Sequence, residues 1–208
     1  MLVHAVLAEL RYAISRGEFR PGEKLNEVAV ASHFDVSRNT LREAFAVLSA
    51  EGLAQRIPNR GVFIAEPTPA FVDDLYRSRA ALEPAALRWG EFLDFSSLRA
   101  TVDHAAQVRD AGNFDEVALA NQQFHRLIVA GMGSDTLSST MDQLLARMRL
   151  AFLTIQAMVP DFHSPYVDHN RELVNLLEND EHAVAADTLH ENLGHTARRL
   201  KVLLERQS

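Results

Sequence analysis

Asp35-Val36-Ser37-Arg38-Asn39-Thr40-Leu41-Arg42-Glu43-Ala44 joins a tight connection to the start of a helix, and the chain reads outward from it in both directions. Ser37 carries the short hydroxyl that caps a helix N-terminus, and Leu41, Ala44, Phe45 and Leu48 follow at helical spacing as one apolar stripe. Gly52 ends this helix. Upstream, a short helix starts near Asn26, a suitable N-cap, and turns Val30, Ala31 and Phe34 inward. Arg20-Pro21-Gly22-Glu23 is a turn, and before it Val3, Val6, Leu7, Leu10 and Ile14 form a first helix stopped by Gly17. Downstream, residues 53–57 and 62–64 are β-prone runs around Pro58-Asn59-Arg60-Gly61, which reads as a hairpin. Helix, helix, tight turn, helix, hairpin is the order of a winged helix-turn-helix.

The residues left facing outward point to nucleic acid. Ser37, Arg38, Asn39, Thr40 and Arg42 crowd the first turn of the third helix, the part of a recognition helix that enters the major groove. Short hydroxyl and amide donors reach phosphates, Arg holds guanine bidentately and Asn holds adenine. Arg56 and Arg60 flank the hairpin tip, where Gly61 lacks a side chain and permits close approach to the sugar–phosphate chain. The plainer alternative is a solvated helix face with a few ordinary arginines. The ordered combination favours DNA contact.

Whole-chain composition first argues the other way. The 208 residues hold 21 Lys and Arg against 28 Asp and Glu, a net charge of −7. Residues 1–66 carry eight of each and are neutral, so the whole excess lies beyond them with seven of the nine histidines. A neutral head can present arginines on one surface while an acidic body stays off the DNA. The length suits one large or two small domains. No stretch is apolar enough to span a membrane, and the start lacks a signal segment; the expected location is the cytoplasm. The absence of cysteine excludes disulfides, thiol catalysis and thiolate metal sites. The first helix begins close to the start of the chain, as it would if an N-terminal extension were missing.

Glu66-Pro67-Thr68-Pro69 interrupts regular structure, so the expected organisation is residues 1–66, a linker over 67–72, and a helical part over 73–208. Amphipathic stretches over 70–92, 97–111, 114–132, 135–159, 167–179 and 182–206 predict an antiparallel all-α bundle of six or seven helices, with Pro84 a kink in the first. The overall class is mostly α. Such a bundle can house a ligand between facing helices. Asn121 and His125 are four residues apart on one face, His169 opens the next-to-last helix, and Asn192 and His195 lie one turn apart on the last. Three such histidines, His125, His169 and His195, can converge on one divalent metal with Asn121 nearby; taken singly, each is more often a surface or hydrogen-bonded core histidine. Arg79 is a candidate partner for a carboxylate, or an intrahelical partner of Glu83. Arg147 and Arg149 are weaker candidates.

Residues 11–65 resemble the DNA-binding domain of GntR-type transcriptional regulators through Ile14-Ser-Arg-Gly17, Arg20-Pro-Gly-Glu-Lys-Leu-Asn-Glu27, Val36-Ser-Arg-Asn-Thr-Leu-Arg-Glu-Ala44, Leu48-Ser-Ala-Glu-Gly-Leu53 and Pro58-Asn-Arg-Gly-Val62. Asp35 stands where that family usually has Gly, and Asn39 where Thr is commoner. Residues from about 73 to 204 resemble the FCD ligand-sensing domain of the FadR-like branch, through Leu75-Tyr-Arg-Ser-Arg-Ala-Ala-Leu-Glu-Pro84, Phe124-His125, Asp168-His169 and the final helix. The resemblance implies a metal held at positions 121, 125, 169 and 192. Two of these are Asn here, where relatives carry Asp and His, and His195 is the substitute one turn on.

The resemblance implies a homodimeric, ligand-responsive transcription regulator, a repressor of a metabolic operon that binds a palindromic double-stranded operator and is not an enzyme. Its small-molecule effector is expected to carry a carboxylate. Arg79, Asn121, His125, His169, Asn192 and His195 are the candidate effector contacts, with or without a divalent metal of the zinc or nickel type. The competing reading is a His-rich helical metalloenzyme domain fused to a DNA-binding head. No His-Glu-x-x-His pattern supports it.

Overall fold

Helix α1 (Leu2–Arg16) leads through the Pro21-Gly22 turn into β1 (Lys24–Leu25), and the next two helices begin where short polar side chains take up free amides. The structure is a computed structural model that describes residues 2–206. The Asn26 side-chain oxygen accepts from the Val28 and Ala29 amides at 3.0 and 3.2 Å, starting α2 (Glu27–His33). Ser37 Oγ accepts from the Thr40 amide at 3.1 Å and starts α3 (Arg38–Ala50). Between the two helices Asp35 holds a φ of 51°, a left-handed conformation that Asp tolerates better than most residues.

Strands β2 (Ala54–Ile57) and β3 (Gly61–Ile64) form the expected hairpin. The Arg60 amide closes its turn onto the Ile57 carbonyl at 3.1 Å, with Pro58 and the left-handed Asn59 (φ 60°) between. Pro second and a left-handed Asn third is the residue pattern of a type II turn. The sheet has one strand more than a hairpin. β1 pairs with β3, giving an antiparallel sheet of order β1-β3-β2 with Lys24 opposite Phe63 and Arg56 opposite Val62. Two residues are too short to show alternation in sequence, and only the pairing reveals β1.

Six further helices follow: α4 (Pro69–Trp89), α5 (Phe95–Asp110), α6 (Phe114–Ala130), α7 (Asp135–Ile155), α8 (Ser164–Glu178) and α9 (His182–Glu205). The described residues are thus mostly α-helical, with one small sheet near the start. The chain divides into two compact units, residues 1–68 with 146–155 and residues 69–145 with 156–208. This division differs from a single cut after residue 66. Ala146 and Leu150 belong to the cluster built from Leu10, Ile14, Leu41, Phe45, Leu48 and Leu53. In the same unit, buried Arg149 donates from Nε to the Ser15 carbonyl at 2.9 Å. A cation there satisfies a free carbonyl in the last turn of α1, so this arginine is structural. The expected linker also shortens, because Pro69 already occupies the first turn of α4, where its missing N–H costs nothing.

In the second unit α4 and α9 make the most extensive pairing. Lys201 donates to Asp73 at 2.7 Å, Arg88 to Asp187 at 2.6 Å, and His182 Nδ1 lies 2.9 Å from the Leu87 carbonyl. Pro84 lies inside α4 and does not end it. Its missing N–H deprives the Ala80 carbonyl of a helical donor, and His190 Nδ1 from α9 sits 3.4 Å from that oxygen. No helix among the described residues is long and apolar enough to cross a membrane.

The Asn26 cap gives the first prediction. Asn26→Ala leaves two exposed amides without their side-chain acceptor and should cost about 1 kcal/mol, read as a lower urea midpoint at unchanged slope.

Candidate nucleic-acid interface and buried polar site

The first turn of α3 presents Ser37, Arg38, Asn39 and Arg42 to solvent. Thr40 is half-buried, and its hydroxyl lies 2.9 Å from Ser37 Oγ, so it completes the cap rather than projecting outward. The two arginines are not independent. Arg42 Nε and Arg38 Nη2 both donate to Glu27 Oε2, at 2.9 and 3.3 Å, from helix α2. Partial burial pushes the Glu27 carboxyl upward, yet the hydrogen bonds from Arg42 and Arg38 outweigh it and hold the group below the usual carboxylate range. One carboxylate therefore sets the spacing of two cations at the helix tip.

On the sheet, Arg56 and Arg60 are exposed, and the Arg60 guanidinium lies 5.5 Å from the centre of the Phe63 ring. Gly61 adopts φ 113°, and a Cβ there would stand 3.3 Å from Lys24 Cε. Lys24 thus joins Arg56 and Arg60 at the wing, a placement that depends on β1 pairing with β3 and has no local sequence signal. Glu27 is equally silent in the sequence, because nothing in one chain links position 27 to positions 38 and 42.

In the helical unit, Arg79 and Glu83 on α4 and His125 on α6 are all buried. Arg79 Nε donates to Glu83 Oε1 at 2.5 Å, and His125 Nδ1 lies 2.6 Å from Glu83 Oε2. Burial alone would raise the Glu83 carboxyl, but the Arg79 guanidinium and the His125 ring oppose it and hold it at about 2. Burial, aided by Arg79, lowers the His125 imidazole and keeps it neutral at pH 7. An ionised carboxylate only accepts, so His125 Nδ1 carries the proton and Nε2 is left as an acceptor. Tyr76 packs beneath Arg79, with the guanidinium 5.0 Å from its ring centre, and burial raises its hydroxyl.

One turn before His125, buried Asn121 accepts at Oδ1 from Nδ2 of buried Asn170 on α8, at 3.0 Å. These two amides line a small cleft together with Val102, Val117, Phe124 and Val167. Gln122 Nε2 and His169 Nδ1 are buried without a hydrogen-bond partner. His169 lies in the second turn of α8, a turn later than expected, with its ring 5.9 Å from that of Tyr166.

The candidate residues separate here. Arg79, through Glu83, meets His125, with Asn121 one turn further along α6. Asn192 is half-buried on α9, whereas His195 is exposed, with Arg198 Nη2 3.1 Å from its Nδ1. The inward face of α9 at this level is taken by Thr196, so His195 does not replace position 192. Among the described residues no three His, Cys, Asp or Glu side chains gather where they could hold a metal ion.

Comparison with known proteins follows both halves. Residues 2–64 match the bacterial regulatory proteins of the gntR family, and residues 74–195 match the FCD domain. An HTH-type transcriptional regulator of Bacillus subtilis (strain 168), YdhC, is 32% identical over 126 residues, covering 58% of this chain and 56% of the relative. The chain thus spans little more than half the length of that relative. The HTH-type transcriptional repressor GlaR of Escherichia coli (strain K12) is 28% identical over 195 residues, covering 88% of this chain and 89% of its own. The crystal structure of a Rhodococcus sp. RHA1 protein, described as a GntR transcriptional regulator, superposes with a TM-score of 0.83 at 30% identity, over 95% of this chain and 96% of that one.

The buried carboxylate yields a pH prediction. The Glu83 carboxyl is lowered in the folded protein, so its contribution to stability is complete above about pH 4.5 and is lost as pH falls toward 2. Glu83→Gln leaves Arg79 buried without its counter-charge. It should cost about 3–5 kcal/mol near neutral pH and flatten the acid limb of stability against pH in thermal melts.

Proposed function

Because the chain belongs to the GntR family of bacterial regulatory proteins and carries its FCD domain, we propose that it regulates transcription by sequence-specific DNA binding. The observation that carries this reading is the exposed tip of α3, where Arg38, Asn39 and Arg42 stand beside the Ser37 cap. Lys24, Arg56, Arg60 and Gly61 supply a second, backbone-directed contact from the sheet. One such head touches few base pairs, so a homodimer on a palindromic operator in the cytoplasm gives the needed specificity. The family is one of regulators, not enzymes, which favours this reading over a metalloenzyme fused to a DNA-binding head. A repressor is the form we favour, in keeping with the name that GlaR bears.

The helical unit would bind the effector, a small metabolite of the operon it governs. His125 Nε2, Gln122 Nε2 and His169 Nδ1 are polar atoms that a ligand can satisfy. A carboxylate-bearing effector would recruit Arg79 only by exchanging with Glu83, since the guanidinium Nε already serves that carboxylate. Effector binding changes DNA affinity only if it favours one arrangement of the protein over another.

Gel shifts on DNA from the promoter of its own gene test the reading. Wild type should bind specifically, with affinity falling steeply as salt rises. Each good bidentate base contact is worth about 1–3 kcal/mol, so Arg38→Ala with Arg42→Ala should cost at least tenfold in specific affinity. Unchanged operator binding by this double variant would remove α3 as the reading helix. A second variant probes the spacing device. Glu27→Gln removes a phosphate-repelling charge and frees both arginines, so binding to unrelated DNA should strengthen while discrimination between operator and unrelated DNA falls.

A further inference from the structure

The FCD resemblance implies a divalent metal at positions 121, 125, 169 and 192, and the side chains present do not fit one. Only the two imidazoles suit one: Glu83 holds His125 Nδ1, which leaves Nε2 as a lone-pair donor, the outer-shell arrangement common around metals, and His169 keeps a buried Nδ1 without a hydrogen-bond partner. The remaining positions fail in turn. Asn121 is neutral, and its side-chain oxygen is already engaged by Asn170 Nδ2 at 3.0 Å. Asn192 offers only another neutral amide. His195 lies in solvent against the guanidinium of Arg198, whose charge repels a cation. Zinc-like ions take imidazole, thiolate and carboxylate in preference to amide oxygen, and this chain has no cysteine.

We infer that the helical unit of this chain works without a divalent metal, with hydrogen bonds tying the helices where the resemblance would put an ion. Arg79–Glu83–His125 ties α4 to α6, and Asn121–Asn170 ties α6 to α8. Both links are buried and carry no net charge, Arg79 balancing Glu83 and the two amides being neutral, so they need no ion to neutralise them. The effector then meets imidazole and amide groups directly. This rests on the family reading of the helical unit and is independent of which DNA the head recognises.

The full chain, purified without a histidine tag and stripped with EDTA, is equilibrated with equimolar zinc or nickel and passed through a desalting column. Elemental analysis should find well under one metal per chain. Zinc should leave the melting midpoint unchanged, and EDTA should leave operator binding unchanged. The variant Asn121→Asp with Asn192→His should retain about one metal per chain and melt several degrees higher with zinc, as binding to the folded state requires. Stoichiometric metal in wild type that disappears in His125→Ala overturns the inference. His169→Gln, at a half-buried position, takes the place of His125→Ala if that variant does not fold. Metal retained equally by wild type and both variants sits elsewhere and supports the inference. A double variant that stays metal-free overturns the attribution to the two amides. Loss of operator binding under every condition would instead count against the regulator reading alone.

Discussion

Glu83 has no exposed surface, and an ionised carboxylate in a protein interior is tolerated only when opposite charge and donors surround it. Arg79 supplies the charge from one turn earlier on the same helix, and His125 supplies a donor from α6. The arrangement is strict because Glu83 bridges the other two: removing it strands both away from water, and removing either of them takes one partner from the carboxylate. The adjoining Asn121–Asn170 amide pair obeys the same rule with neutral groups. Apolar side chains such as Phe124, Val167 and Leu189 provide the bulk of the burial, but they do not fix orientation. Directional polar bonds decide which faces of α4, α6 and α8 meet.

The same chemical device appears in the head with different weight. Glu27 also gathers cations, but Arg38 and Arg42 are more than half exposed, at 58 and 55%. Water and salt screen such pairs, so they contribute little to stability. Their effect is geometric: the carboxylate holds two long, flexible side chains near one another before DNA arrives. A fully buried carboxylate and a half-buried one thus do opposite jobs, one fixing the fold and the other arranging a surface.

The order of elements was legible wherever a local signal sufficed. Asn26, Ser37 and the apolar stripe of α3 announced their helices, and Pro58-Asn59 announced its turn. Strand β1 was hidden because two residues cannot display a period and exist as a strand only through β3. The helical boundaries slipped where proline misled: Pro69 begins α4, and Pro165 lies in the first turn of α8. The polar site was half legible. Arg79–Glu83 follows from spacing within one helix, whereas His125 joining Glu83 and Asn121 joining Asn170 depend on which helices pack together. His195 shows the limit of periodicity, since a shift of one residue around α9 separates buried Thr196 from a solvent-facing imidazole. The share of residues 146–155 in the first unit is equally a tertiary fact, carried by Ala146 and Leu150.

Pro84 bears on the register of the long α4–α9 pairing. A proline within a helix leaves one carbonyl, here that of Ala80, asking for a donor from outside. His190 stands opposite it, between the flanking links of Lys201 to Asp73 and His182 to Leu87. The two helices are therefore indexed like a key and its notch: a slide of α9 by one turn would leave the Ala80 oxygen facing a side chain unable to donate. A residue that usually breaks a helix here records where its neighbour must stop.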